Sequence, residues 1–187
     1  MNDLASMLGA VYVVSEIALS AVKRAQSGAR VADRGSLRLI WIVIGIAVFC
    51  AISVSFAFPA AGFGAFSAPA RTLGVVLFVL GLFLRWSAII YLGRFFTVNV
   101  AIASDHKLID AGPYRFIRHP SYTGALMVFL GLGLCIGNGV SLAVLFVPIF
   151  LVFQHRMRIE EEVLLQGLGD QYRAYMNHTK RLNPGIY

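Results

Sequence analysis

The chain alternates long apolar runs with short basic stretches. Residues 37–58 carry no charge after Arg38 and match the roughly 20 apolar residues that a bilayer-spanning helix needs. Residues 72–92 form a second run, interrupted only by Arg85, and residues 4–22 a third, weaker one, which carries Glu16 and several Ser and Ala. Residues 122–153 stay apolar for about 32 positions, too long for one span and short for two. Gly137-Asn138-Gly139 breaks this run near its middle, so it is predicted to fold as a tight helical hairpin only just long enough to cross. Gly131, Gly133 and Gly137 would let its helices approach closely. The pattern predicts an all-α protein, a multi-pass transmembrane bundle of about five helices.

Composition agrees. Of 187 residues, 58% are hydrophobic and 13% charged, against about 45–50% and about 25% in soluble domains. The mean hydropathy is +0.76. One integrated domain is expected, with N-terminal spans over 1–92 and the hairpin inside 93–187. The net charge of +7 invites a nucleic-acid partner, but the basic residues lie between apolar spans and form no continuous stripe. They fit membrane lipids better, and no nucleic acid is expected. Cys50 and Cys135 sit inside apolar runs, and no His-x-x-x-His spacing occurs, so neither a disulfide nor a metal site is expected. The Met-Asn-Asp-Leu start lacks the basic residues of a cleaved signal peptide.

The Lys and Arg distribution predicts orientation. The first loop holds Lys23, Arg24, Arg30, Arg34 and Arg38, while 59–71 holds Arg71 alone. Segment 93–120 holds Arg94, Lys107, Arg115 and Arg118; the tail holds Arg156, Arg158, Arg173, Lys180 and Arg181. The positive-inside rule then puts the first loop, 93–120 and the tail in the cytoplasm and the N-terminus outside. Polar residues collect in two blocks, 99–124 and 154–187, which the hairpin brings to one side. Segment 93–120 and the C-terminal helices are therefore predicted to form a cytoplasmic cap.

In the first block Gly112-Pro113 marks a turn, and Pro120 suits the first position of a helix. The helix N-terminus after His119 would offer free N–H groups to a carboxylate. The same residue types also suit an amphipathic connector whose Arg and Lys meet lipid phosphates and whose Tyr and His anchor the interface. In the second block Arg156 and Glu160 share one helix face, an arrangement equally typical of a weak surface ion pair. Gly169-Asp170-Gln171-Tyr172 with Tyr175 suggests a helix break, then a helix with its aromatic side inward, and Asn183-Pro184-Gly185 a closing turn.

Together the blocks resemble the isoprenylcysteine carboxyl methyltransferase family of membrane enzymes, which is related to the phospholipid methyltransferases. The matching positions are His106-Lys107-Leu108, Gly112-Pro113-Tyr114-Arg115 and Arg118-His119-Pro120-Ser121-Tyr122-Thr123-Gly124. They continue with Arg156-x-x-x-Glu160-Glu161, Leu164, Gly169, Tyr172, Tyr175, Arg181 and Pro184. The likeness covers about residues 90–187, and Leu168 departs from it where the family usually has Phe. It implies S-adenosyl-L-methionine as cofactor, region 93–187 as catalytic, and a lipid or prenylated acceptor entering from the bilayer. It implies catalytic roles for Arg156, Glu160 and Glu161. It implies cofactor contacts, partly through backbone groups, from Asn99, His106, Lys107, Leu108, Ile109, Gly112, Tyr114, His119, Pro120, Ser121, Tyr122 and Glu160. Glu160 would hold the cofactor's ammonium and Arg156 would clamp the carboxylate to be methylated, as in an isoprenylated cysteine. Alternatives are a phospholipid N-methyltransferase, an NADPH-dependent membrane sterol or isoprenoid reductase, which shares a similar C-terminal pattern, and a non-catalytic scaffold.

Overall fold

A computed structural model of the chain describes residues 3–22, 30–33, 35–93, 100–102 and 108–182. Asn99, His106, Lys107 and the expected 183–185 turn lie outside the described residues. Among the described residues six α-helices form: α1 Asp3–Val22, α2 Gly35–Ala57, α3 Ser67–Leu92, α4 Pro120–Ile136, α5 Gly139–Leu168 and the short α6 Asp170–His178. Four of them, α1, α2, α3 and α5, are long and apolar enough to cross a membrane. Helix α4 has 17 residues, about 26 Å at 1.5 Å per residue, somewhat less than a typical 30 Å hydrocarbon core. The five long helices follow the apolar runs, and the bundle is that of an integral membrane protein.

Helices α4 and α5 form the expected hairpin. Gly137 caps α4 in the left-handed conformation (φ +80°), and the Asn138 side chain caps α5 by accepting from Ser141 N at 3.0 Å. The tip docks on the loop after α2, where Asn138 Nδ2 donates to Phe58 O at 2.8 Å and Phe63 N donates to Gly137 O at 3.0 Å. Of the three glycines expected in close packing, Gly133 faces Leu142 of α5, Gly131 faces α3, and Gly137 serves the turn. Around the hairpin, α3 and α1 pack on α4, and α2 packs on α5. The shared core holds Phe78, Phe129, Leu145, Ile149 and Met157, while Phe49, Phe83, Val14 and Ile90 stay exposed where lipid would cover them.

The α3–α4 seam is built from glycine on both sides. Gly74 meets the Gly131 carbonyl and Gly81 the Gly124 carbonyl, and a Cβ added to Gly81 or Gly124 would stand 2.5 Å from the opposite carbonyl oxygen. Backbone cannot retreat from such a contact as a flexible side chain can. Gly124→Ala is therefore expected to destabilise the bundle by about 1–3 kcal/mol, read as a lower unfolding temperature in detergent. Gly45→Ala, with nothing within 4 Å of the added carbon, is the control and should leave that temperature unchanged or raised.

A small antiparallel sheet supplements the all-α reading. Strand β1, Arg30–Asp33, pairs with β2, Val100–Ile102, in the register Arg30↔Ile102 and Val31↔Ala101, with an irregularity before Asp33↔Val100. The pairing ties the first loop to the 93–120 segment. The tail reaches the same end, since Arg118 N and His119 N donate to Lys180 O and Arg181 O at 2.7 and 3.0 Å. The described parts of all three basic stretches, 30–33, 100–102 with 108–120, and 180–181, thus gather at one end of the bundle.

Candidate active site

At that end the start of α4 lies against the polar half of α5. Pro120 takes the first helical position, where its missing N–H is harmless, and fixes the direction in which Ser121 and Tyr122 leave the turn. The Tyr122 hydroxyl donates to Glu160 Oε2 at 3.1 Å and also interacts with the Arg156 guanidinium. Arg156 is buried, 3% exposed, and its Nη1 donates to Ser36 Oγ in the first turn of α2. A surface ion pair is therefore excluded as the account of Arg156: the first turn of α2 covers it. Glu160 is half-buried and Glu162 exposed.

Glu161 faces a different set of partners. Its Oε1 accepts from Arg118 Nε at 2.9 Å and lies 3.1 Å from His119 Nε2; its Oε2 accepts from Arg181 Nε at 2.9 Å and Nη2 at 2.5 Å. Arg118 also donates to the carbonyls of Met176, at 3.2 Å, and Thr179. Thr123 Oγ1 donates to Leu182 O at 3.0 Å. One buried carboxylate thus binds α4, α5 and the chain after α6 into a single unit.

The helix N-terminus itself differs from expectation. Arg118 N and His119 N are capped by the 180–181 backbone, and Tyr122 N and Thr123 N both donate to His119 O at 3.0 Å. Donors expected to be free for a carboxylate are thus taken up by the protein. The physical reason is local: the His119 carbonyl stands just before the helix and accepts the first bonds of its opening turn.

The turn Gly112–Arg115 closes the other side. Gly112 has φ +59°, and its missing side chain lets the Tyr91 ring sit where a Cβ would be. Tyr114 is buried; its hydroxyl donates to Ala88 O at 3.3 Å, and its carbonyl accepts from the Tyr175 hydroxyl at 2.6 Å. Burial pushes the Tyr175 hydroxyl up to about 12, so it stays a donor at any ordinary pH. Leu108 and Ile109 are half-buried just before this turn. Tyr172 and Tyr175 turn inward on α6 after the Gly169 break, as expected.

Of the residues predicted for a site, Tyr122, Arg156 and Glu160 converge, with Ser121 beside them and His119 drawn instead toward Glu161. Two participants were not foreseen. Ser36 comes from α2, and Arg85 of α3 reaches Ser121, donating from Nη1 to its carbonyl and hydroxyl oxygens at 3.2 and 3.1 Å. Both contacts cross the boundary drawn at residues 92 and 93. The signal for Arg85 was available, since a charge inside an apolar span demands a partner.

Comparison with known proteins agrees with this arrangement. The sequence model of the isoprenylcysteine carboxyl methyltransferase (ICMT) family matches residues 74–166. Protein-S-isoprenylcysteine O-methyltransferase B of Arabidopsis thaliana is 38% identical over 115 residues, 60% of this chain and 57% of that protein. Protein-S-isoprenylcysteine O-methyltransferase of Schizosaccharomyces pombe is 34% identical over 118 residues, 62% of this chain and 49% of the relative. The solved structure of the eukaryotic intramembrane Ras methyltransferase ICMT superposes with a TM-score of 0.65 at 26% identity, covering 83% of this chain and 55% of that one. The chain thus spans about half the length of the relatives it matches. Sequence motif, helix arrangement and superposition agree, and the chain belongs to the isoprenylcysteine carboxyl methyltransferase family.

Proposed function

We propose that the protein is an S-adenosylmethionine-dependent methyltransferase that methylates the carboxylate of an isoprenylated cysteine, or of a related isoprenoid acid, held in the bilayer. The observation that carries this reading is the buried Arg156, set between Ser36 and Tyr122 where an apolar helix passes into the polar end. Its planar fork suits a carboxylate, which it can hold bidentately. The relatives' activity supports this acceptor class over a lipid amine or a reducible sterol.

The residues present suit the cofactor. Glu160 is a half-buried carboxylate oriented by Tyr122, a counter-charge for an ammonium group. Tyr114, buried and close enough to feel the Glu160 charge, and the half-buried Leu108 and Ile109 before its turn would supply aromatic and apolar surface. When bound, S-adenosylmethionine supplies an electrophilic methyl group on a sulfonium. The chain's own task is alignment: Arg156 orients the acceptor oxygen, Glu160 anchors the amino-acid end, and the buried surroundings keep water out. A strong general base is unnecessary, because the acceptor is already ionised. The both-oxygen engagement of Glu161 supports an anchoring role for it and for His119 rather than contact with reactants. The clustered basic stretches support a cytoplasmic cap with the N-terminus outside.

Calorimetric titration of the detergent-purified protein with S-adenosylhomocysteine tests the reading. Saturable binding is expected, weakened about tenfold or more in Glu160→Gln at an unchanged unfolding temperature. Binding of NADPH alone would move the protein to the reductases; unchanged affinity in Glu160→Gln would remove that residue from the site.

A further inference from the structure

Glu16 of α1 and Arg85 of α3 are charges far from the ends of apolar spans, and they meet. Arg85 Nε and Nη2 donate to Glu16 Oε1 and Oε2 at 2.6 and 2.8 Å, a two-pronged pair with 12% and 7% of the side chains exposed. Beside it, Trp86 Nε1 donates to Ser15 Oγ at 2.7 Å, and the Tyr12 hydroxyl interacts with Glu16. A bare charge in hydrocarbon is costly, so each partner is held where the other is. The pair leaves Arg85 Nη1 for one further use, and that use is Ser121.

Ser121 lies between the two residues that define the start of α4. His119, before it, meets Glu161, and Tyr122, after it, meets Glu160. Gly81 and Gly124 bring the α3 and α4 backbones together one turn away, which places the Arg85 side chain alongside Ser121. The first turn of α4 is thus gripped from two directions: by Glu161 and the 180–181 backbone at the polar end, and by Arg85 from within the bundle.

We propose that Arg85, locked by Glu16, is a positioning residue of the site: by holding the Ser121 carbonyl and hydroxyl it sets the orientation of Tyr122 toward Glu160 and Arg156. This role rests on the methyl-transfer reading. It makes α1 part of the working unit, although Glu16 falls outside the stretch matched by the family. Glu16 acts on the site only through Arg85, so its effect on ligand binding separates positioning from direct contact.

The test titrates wild type, Glu16→Gln, Arg85→Lys and Ser121→Ala with S-adenosylhomocysteine in detergent and records each unfolding temperature. Lys keeps the charge for Glu16 but lacks the fork that reaches Ser121 as well. Ser121→Ala removes one hydroxyl and is the mildest change. Positioning predicts an affinity about tenfold weaker in Arg85→Lys and Ser121→Ala, while Ser121→Ala unfolds within a few degrees of wild type. Glu16→Gln should weaken binding as well. A purely structural pair would lower the unfolding temperature of Arg85→Lys and Glu16→Gln and leave the affinity of the folded protein, and all of Ser121→Ala, unchanged; that result overturns the proposal. Failure of wild type to bind S-adenosylhomocysteine removes the methyl-transfer reading at its root, and this role with it, before any variant is compared.

Discussion

Arg156→Lys is expected to lose at least about a hundredfold in turnover of a farnesylated N-acetylcysteine while retaining its fold and most of its affinity for S-adenosylhomocysteine. The argument begins with burial. Arg156 is 3% exposed, so its charge has little water to rely on and its donors must be used by neighbours or by a ligand. Ser36 takes Nη1, and Tyr122 stands beside the guanidinium. A guanidinium has five donors in one plane and can serve Ser36 and both oxygens of a carboxylate together. An ammonium has three donors around one point and cannot hold that geometry. The charge remains in Arg156→Lys, so general attraction of the acceptor survives, and the loss falls on alignment in the transition state. That places the defect in kcat more than in cofactor binding. Full turnover by Arg156→Lys at saturating acceptor would show that the guanidinium is no clamp. Ser36→Ala, which frees one Arg156 donor without moving the charge, should give a smaller loss of the same kind.

The sequence carried the spans and their break well because both are local properties. Residues 37–58 can only be a span at that apolar length, and Gly137-Asn138-Gly139 supplies in three residues the left-handed cap of one helix and the side-chain cap of the next. Tyr172 and Tyr175 are three apart after a glycine, and three apart on a helix is one face. What stayed hidden depends on rotation and on long-range neighbours. By residue type alone Arg156 and Glu160 read as solvated charges because nothing near them in sequence covers them; Ser36, which covers Arg156, is 120 positions away, and Tyr122 reaches Glu160 from α4. Glu16 read as a blemish in the weaker span and Arg85 as the one interruption of another, and only their relative helix rotation turns the two into one pair. The amides of Tyr122 and Thr123 read as free because their acceptor, the His119 carbonyl, is aimed by how the turn before Pro120 folds. The two strands, of four and three residues, are too short for an alternating pattern to register.

Glu161 is the position where substitution should damage the fold most. Its two oxygens answer Arg118, His119 and Arg181, with side-chain exposures of 9%, 3% and 22% against 4% for Glu161 itself. Removing one member of a buried ion cluster costs about 3–5 kcal/mol, because the remaining charges keep their desolvation penalty and lose their partner. Against a total stability of about 5–15 kcal/mol that is a large share. Glu161→Gln keeps the shape but is not mild here. Its amide group would turn a donor toward Arg118, His119 or Arg181, all of which are offering donors, and the 180–181 backbone that caps the start of α4 would lose its tether. The expected result is a strongly lowered unfolding temperature in detergent and poor recovery of folded protein, with S-adenosylhomocysteine binding lost in proportion to the folded fraction. Glu162→Gln, one residue on and exposed, should shift stability by no more than about 0.5 kcal/mol. A Glu161→Gln protein that unfolds like wild type and binds S-adenosylhomocysteine normally, yet turns over nothing, would assign Glu161 to the reaction itself; one that simply falls apart assigns it to the scaffold that holds Tyr122, Glu160 and Arg156 in register.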